Sequence, residues 1–261
     1  MSDTSEEVLQ VRYEDAVAVM TMNNPPRLNA FSWAMRSQMY ERLLEIEGNA
    51  DCRAIVLTGA GGSFCAGGDI SEMAHRQVLE ARMRTDLAAR IFKLLVAGPK
   101  PFLCAVEGNA AGAGISFVAA SDYAVAASDA KFTSSFIKVG LLPDVGAIWS
   151  LPRKVGHRKA MELCAFAESI DAQEALRIQL INRTCEPGHA LTEALAVAQK
   201  FARNPPVAMA LLRSALNTAN DTVDRAVTAE TDYQSVLMNT EDYTEAAKAF
   251  MEKRRPQFKG R

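Results

Sequence analysis

Histidine is scarce, with three in 261 residues, and the five cysteines include no Cys-x-x-Cys pair. An odd number of widely spaced cysteines argues against a disulfide framework and against zinc, so no metal is expected. Charge of one sign is also lacking. The formal net charge is −2 at neutral pH, which leaves no basic excess to meet a phosphate backbone, so nucleic acid is not expected as a partner. Local lysines and arginines remain available for one small polyanion. No uninterrupted apolar run approaches the roughly 20 residues a bilayer span needs, so no membrane is expected either. The opening Met1–Glu7 stretch is polar and acidic, unlike a signal or transit segment. A cytoplasmic location is the expectation.

Three glycine motifs are missing as well. A dinucleotide fingerprint counted from Gly59 and Gly61 ends on Phe64, and one counted from Gly112 and Gly114 ends on Phe117. A nucleophile elbow around Ser63 fails because Cys65 stands where glycine is required. There is no Walker phosphate loop.

What is present is an alternation of strand-like and helix-like segments. Val8–Tyr13 and Ala16–Met22 read as two strands joined at Glu14-Asp15, and the Pro25-Pro26 pair stops the sheet. From Ser32 a helix is predicted, because Met35, Met39, Leu43 and Ile46 recur at three- and four-residue intervals. Ala54–Thr58 is a compact apolar strand, followed by a glycine-rich stretch from Gly59 to Asp69. A second helix runs through Leu87, Ile91, Leu94 and Leu95, then a strand over Pro101–Val106, a second glycine loop, a short apolar helix to Ala120 and a strand over Tyr123–Ala126. Strand, glycine loop and helix thus occur twice, which favours an α/β fold with its site at the strand ends. Beyond about residue 155 only helices are expected, with Asp171 and Glu174 as a capping box and Pro205-Pro206 opening a further helix.

The two loops, Cys65-Ala66-Gly67-Gly68-Asp69 and Ala111-Gly112-Ala113-Gly114, each lead into a helical stretch. Small residues let a ligand approach the backbone, and free N–H groups at a helix start point toward it. Facing one another, two such loops make an oxyanion hole. As single features they are equally ordinary turns.

Asn24-Pro25-Pro26-Arg27-Leu28-Asn29-Ala30, Gly61–Ile70, Ala105–Asp122, Val139–Gly156 and the closing Ala249–Phe258 resemble, in order, the blocks of the crotonase (enoyl-CoA hydratase/isomerase) superfamily. The resemblance covers nearly the whole chain. It implies an α/β fold, a spiral of ββα turns over residues 1–200. A helical region over 201–261 would then form a homotrimer or a dimer of trimers. It also implies an acyl-CoA thioester substrate, with coenzyme A as part of the substrate and no separate cofactor. Carried over by position, the oxyanion donors are the N–H groups of Gly68 and Ala113. Alanine at the second position, usually glycine, keeps the N–H. Arg27, Leu28, Ala30, Ala66, Asp69, Ile70 and Phe136 fall on substrate or coenzyme A contacts. Phe250 and Lys253 fall on residues that reach the coenzyme from the terminal helix, often of an adjacent subunit.

In hydratases of this family two glutamates handle water, and here their positions hold Ser116 and Phe136. One carboxylate remains in the Val139–Gly156 block, Asp144 in Leu142-Pro143-Asp144-Val145-Gly146. That context resembles 3-enoyl-CoA isomerases and the ring-epoxide isomerase of phenylacetate degradation, although Pro-Asp is also a common turn pair. A lone base suits a 1,3-proton shift, and an apolar lining of Phe136, Leu141 and Trp149 would raise its pKa. A hydratase working with Asp144 alone and a non-catalytic acyl-CoA binder stay open. Asp69 and Asp122, at motif edges, are expected in turns or caps. Cys65 has no histidine near it in sequence and is not expected to be a nucleophile. The Met73–Asp86 segment is expected to set the depth of the acyl pocket.

Overall fold

The computed structural model describes residues 7–72, 77–218 and 222–261. Residues 1–6 of the acidic opening, and residues 73–76 of the segment expected to set pocket depth, lie outside these ranges.

The chain starts with an antiparallel pair, β1 (Leu9–Glu14) and β2 (Val17–Met22), turned at Asp15 in the left-handed region. A short 3-10 turn at Pro25–Arg27 follows, as the proline pair requires. Helix α1 (Trp33–Gly48) begins at Ser32, whose hydroxyl accepts the Met35 N–H at 3.2 Å. Its buried residues are Met35, Met39, Leu43 and Ile46, the stripe that the periodicity predicts. Each stabilises the fold by about 1.5–3 kcal/mol on burial, which is the main reason this helix forms.

Strand β3 (Ala54–Gly59) and helix α2 (Val78–Ala97) come next, then β4 (Phe102–Val106), β5 (Asn109–Ala111) and α3 (Ala113–Ala120). After β6 (Tyr123–Ala127) and β7 (Lys131–Thr133) come α4 (Ala147–Val155), α5 (His157–Phe166), β8 (Ile170–Asp171), α6 (Ala172–Arg177) and β9 (Arg183–Cys185). The larger sheet has the order β1-β2-β3-β4-β6-β9, with every pair after the first parallel. A small second sheet has the order β5-β7-β8. After β4 and again after β6 the chain crosses from the large sheet to the small one, at β5 and β7, before helices return it, the ββα turn of a spiral.

The large sheet is covered on both faces, which is why its strands read as continuous apolar runs. Ile55 and Leu57 of β3, with Phe102, Cys104 and Val106 of β4, join the core beneath α1, α2 and α3. The alternate residues Ala54, Val56, Leu103 and Ala105 face α7 (Ala190–Ala202), meeting Ala190, Ala194 and Ala198. Alternation is present but hidden by burial on both sides.

The expectation of helices alone beyond residue 155 is corrected by β8 and β9. Strands of two and three residues carry no readable period. Asp171 does cap α6, accepting the Glu174 N–H at 2.8 Å. The reciprocal half of the capping box is absent, because the Glu174 carboxylate is taken by Arg177 at 2.6 and 2.8 Å and by Lys159 at 3.2 Å.

The last helices are α8 (Pro206–Thr218), α9 (Val223–Leu237) and α10 (Glu241–Met251). Buried Arg213 fixes α8 to the spiral, donating to Asp122 at 2.8 Å, to the Leu95 carbonyl at 2.8 Å and to the Gly98 carbonyl. Asp122 also accepts the Phe102 N–H at 2.7 Å, so its role is structural, as its place at a motif edge implies. The tail folds back onto α10 through Asp242, which accepts the N–H groups of Lys259 and Gly260. No α9 residue is buried, and Val223, Val227, Val236, Phe250 and Met251 are all exposed. Among the described residues no helix is long and apolar enough to cross a membrane.

Candidate active site

The two glycine loops touch. Cys65 forms a single parallel bridge with Ala110, donating its N–H to the Asn109 carbonyl at 2.9 Å and accepting from Ala111 at 2.8 Å. Beyond the bridge Gly67 has φ +99° and Gly112 φ +51°, conformations that favour glycine. A Cβ on Gly67 would stand 3.1 Å from the Ala111 carbonyl oxygen, and one on Gly112 would stand 3.1 Å from the Gly67 Cα. Backbone meets backbone here, and the space requires it.

The next residue on each loop is an expected donor. Neither the Gly68 N–H nor the Ala113 N–H has a hydrogen-bond acceptor among the described residues. Ala113 is the first residue of α3, a helix buried along all eight residues and without a side-chain N-cap. An uncapped helix start carries a partial positive charge, so the place in front of Ala113 suits a developing negative charge.

Asp144 lies on the loop between a 3-10 turn (Ser135–Val139) and α4. It is followed by two left-handed residues, Val145 at φ 51° and Gly146 at φ 71°. A β-branched residue rarely adopts that conformation, which costs on the order of 1–3 kcal/mol and persists only where the surroundings enforce it. Val145 is buried, and a Cβ on Gly146 would stand 2.3 Å from the Phe92 ring. Packing thus holds the backbone that carries Asp144. Phe92 also packs edge-on against Trp149, with ring centroids 5.9 Å apart.

The Asp144 carboxylate is half-buried and no side chain donates a hydrogen bond to it among the described residues. Burial raises its pKa above the usual carboxylate range, and the Arg36 guanidinium offsets part of that rise. The lining differs from the expectation in one respect. Phe136 is buried, but Leu141 is 53% exposed and does not close the pocket within this chain. Phe92 of α2, which sequence analysis did not single out, takes up the space beside Trp149 instead.

Ser116, one turn beyond Ala113 on α3, is fully buried and its hydroxyl donates to the Gly112 carbonyl at 3.2 Å. It is engaged by its own helix. Cys65 is also fully buried, and desolvation pushes its thiol up to about 11, a poor position for a thiolate nucleophile.

At the loop edge, Arg27 donates to Asp69 at 2.7 Å and to Ser71, which ties the Pro25–Arg27 turn to the first glycine loop. Burial alone would raise the Asp69 pKa, but hydrogen bonds from Ser71 and Arg27 outweigh it and hold the group below the usual carboxylate range. Leu28 is left-handed, and its carbonyl accepts the Ala66 N–H at 3.0 Å. Ala30 is buried with its N–H on the Arg27 carbonyl, while Ile70 is 79% exposed. Arg27, Leu28, Ala66 and Asp69 are thus brought together, with Ala30 behind them and Ile70 beside them. Phe250, 84% exposed, and Lys253 make no hydrogen bond or ion pair with these loops.

Asn29 is the residue of this motif to which sequence analysis gave no role. It is fully buried and left-handed, and its side chain accepts the Asn24 N–H at 2.8 Å while donating to the carbonyls of Ala60 and Ser63 at 2.8 and 2.7 Å. Its position two residues after Arg27 was the only available signal. Asn29→Ala leaves three backbone groups unpaired at about 1–3 kcal/mol each. Thermal unfolding should show a drop of roughly 10 °C or more, and an unchanged midpoint would contradict this bracing role.

Paired, unpartnered amides are how a protein holds a carbonyl oxygen that is gaining charge. The family model described as enoyl-CoA hydratase/isomerase matches residues 12–261 of this chain. The chain is 36% identical to 1,2-epoxyphenylacetyl-CoA isomerase of Escherichia coli (strain K12), over 95% of its own length and 97% of that protein. It is 37% identical to short-chain-enoyl-CoA hydratase of Clostridium acetobutylicum, over 95% and 96% of the two chains. Among solved structures, an enoyl-CoA hydratase from Bacillus anthracis superposes with a TM-score of 0.92 at 28% identity, covering 97% of this chain and 100% of the other. The chain belongs to the crotonase superfamily, the enoyl-CoA hydratases and isomerases, and is an enzyme of that class acting on acyl-CoA thioesters.

Proposed function

We propose that the protein is an acyl-CoA isomerase that moves a double bond, of the 3-enoyl to 2-enoyl type, or isomerises a ring epoxide. The thioester carbonyl would sit against the N–H groups of Gly68 and Ala113. Asp144 removes a proton from the carbon between the carbonyl and the double bond, and the electron pair passes to the thioester oxygen as a dienolate. The protonated Asp144 then returns the proton to the distal carbon, and the carbonyl reforms. The observation that carries this reading is a partly desolvated Asp144 carboxylate in a chain whose Ser116 hydroxyl is bonded to its own helix and whose residue 136 is an apolar phenylalanine. One base serves a proton shift, whereas ordered addition of water draws on two groups.

A hydratase using Asp144 alone is the second reading, favoured by the name of the Clostridium acetobutylicum relative. Turnover of a 3-enoyl-CoA and a 2-enoyl-CoA by the purified protein tests both. The expected result is isomerisation of the first with little hydration of the second. Rapid hydration would replace the isomerase reading by the hydratase one.

The exposed apolar residues of α9 and α10 support assembly as a homotrimer or a dimer of trimers, since such side chains in number mark interaction surfaces. In that assembly Phe250 and Lys253 would reach the coenzyme A of a neighbouring copy. Sedimentation velocity should give three or six times the 28.3 kDa of one chain, and a monomer at micromolar concentration would remove this assembly.

A further inference from the structure

Gly68 has nothing of its own to hold it. It follows another glycine, and a Cβ at its position would meet nothing within 4 Å. Two glycines in succession leave a backbone unusually free. An oxyanion donor nevertheless has to keep its aim to within about 0.5 Å. The constraint must therefore come from the residues on either side.

On the amino side it comes from the main chain. Cys65 bridges to Ala110, and the Gly67 carbonyl accepts the Phe31 N–H at 2.7 Å. On the carboxyl side, residues 69–72 form no main-chain hydrogen bond to another element among the described residues. The one bond there is local, from the Glu72 N–H to the Asp69 carbonyl at 3.1 Å. Side chains hold this end instead. Asp69 and Ser71 meet Arg27 of the Pro25–Arg27 turn. Glu72 reaches further, to α1 and α2. Its two carboxylate oxygens accept the Trp33 N–H at 3.0 and 3.1 Å. The same carboxylate pairs with Arg84 of α2, both side chains partly buried, and the Arg84 guanidinium carbon lies 5.2 Å from the Trp33 ring centroid.

Trp33 is the first residue of α1, and Phe31 stands two residues before it. The segment 67–72 is thus tied at both ends to one three-residue stretch at the start of a packed helix, and Gly68 lies between the ties. Helix α1 does not need the carboxylate to begin, because Ser32 already caps it. The second donor needs no such device, since Ala113 opens a helix buried along its whole length.

We propose that Glu72 is a positioning residue for the Gly68 N–H: clamped between the Trp33 N–H and the Arg84 guanidinium, it fixes the far end of the first loop and keeps the amide aimed at the thioester oxygen. The role rests on Gly68 being an oxyanion donor, and not on which group acts as the base.

The test compares wild type with Glu72→Ala, Glu72→Gln and Arg84→Met. The first readout is the infrared carbonyl stretch of bound butyryl-CoA carrying carbon-13 at its thioester carbonyl, a saturated ester with no double bond to move. In wild type the stretch should lie below that of the free ester, because hydrogen bonds draw charge onto the oxygen. Glu72→Ala should return it part of the way to the free value. Its kcat should fall on the order of tenfold with KM little changed, the mark of an interaction made in the transition state. Glu72→Gln keeps an oxygen for the Trp33 N–H and loses the charged pairing, and Arg84→Met loses the same pairing from the other side. Both should show smaller shifts in the same direction, and they carry the test should Glu72→Ala fail to fold. A stretch unmoved in every folded variant, with only the melting midpoint lowered, would make Glu72 a structural tie and overturn the proposal. A wild-type stretch no lower than that of the free ester is a different failure, that of the oxyanion hole itself, and the positioning role falls with it. Asp144→Asn should leave the wild-type stretch in place, so loss of the isomerase reading does not touch this result.

Discussion

Asp144→Asn should lower kcat for double-bond isomerisation by about 10³-fold, within the 10²–10⁴ range of a positioned acid–base group. The amide is nearly isosteric and cannot take the proton, so affinity for a non-reacting acyl-CoA should change little. Stability should move the other way. The folded-state pKa of Asp144 is raised, so its ionised form weakens the fold at every pH above that value and stops doing so below its unfolded value. Removing the charge should raise the unfolding midpoint at neutral pH while turnover collapses, the trade expected where a site holds an unfavourable group for use. In wild type, the base form is lost as pH falls through the raised pKa, so the acid limb of kcat/KM should lie above the ordinary carboxylate range. Full activity of Asp144→Asn would remove the single-base mechanism. Tight acyl-CoA binding by wild type with no turnover of either ester would point instead to an epoxide substrate or to a protein that binds without catalysing.

Ala113→Pro should cost about 10²–10³-fold in kcat/KM, the loss associated with one oxyanion donor. A backbone N–H is hard to delete, but position 113 allows it. Proline is favoured at the first residue of a helix, where the N–H has no helical acceptor. The preceding Gly112, at φ 51° and ψ −117°, holds the mirror image of the extended conformation that residues before proline adopt, which glycine alone takes freely. The helix should therefore survive, with unchanged circular dichroism. Ala113→Gly is the control, since it restores the commoner family residue and keeps the N–H, and its kcat should stay near wild type. Should the proline variant turn over like the parent, the Ala113 N–H would lose its assigned role.

Much of this was legible in the residue order. The α1 stripe at Met35, Met39, Leu43 and Ile46, its start at Ser32 and the cap at Asp171 follow from local rules, and the structure has them. The two glycine loops were readable as a pair because close backbone approach leaves a compositional mark. Strands β5, β7, β8 and β9 were not, since two or three residues carry no period and owe their pairing to neighbours laid down by other coils. The bracing Asn29 and Phe92 of α2 drew no role from the residue order, because their partners lie in other elements. The left-handed Val145 had no signal at all, because such strain is imposed by packing against the residue's own preference.

The single bridge between Cys65 and Ala110 has a further consequence. Counted from it, Gly68 and Ala113 stand at the same offset of three residues, so the bridge holds the two loops together just ahead of the two amides. The approach of the loops is set there by main-chain hydrogen bonds of 2.9 and 2.8 Å rather than by side chains. A gauge built into the main chain is indifferent to which acids and bases surround it. Substitutions at 116, 136 or 144 would therefore change the acids and bases without moving the two loops.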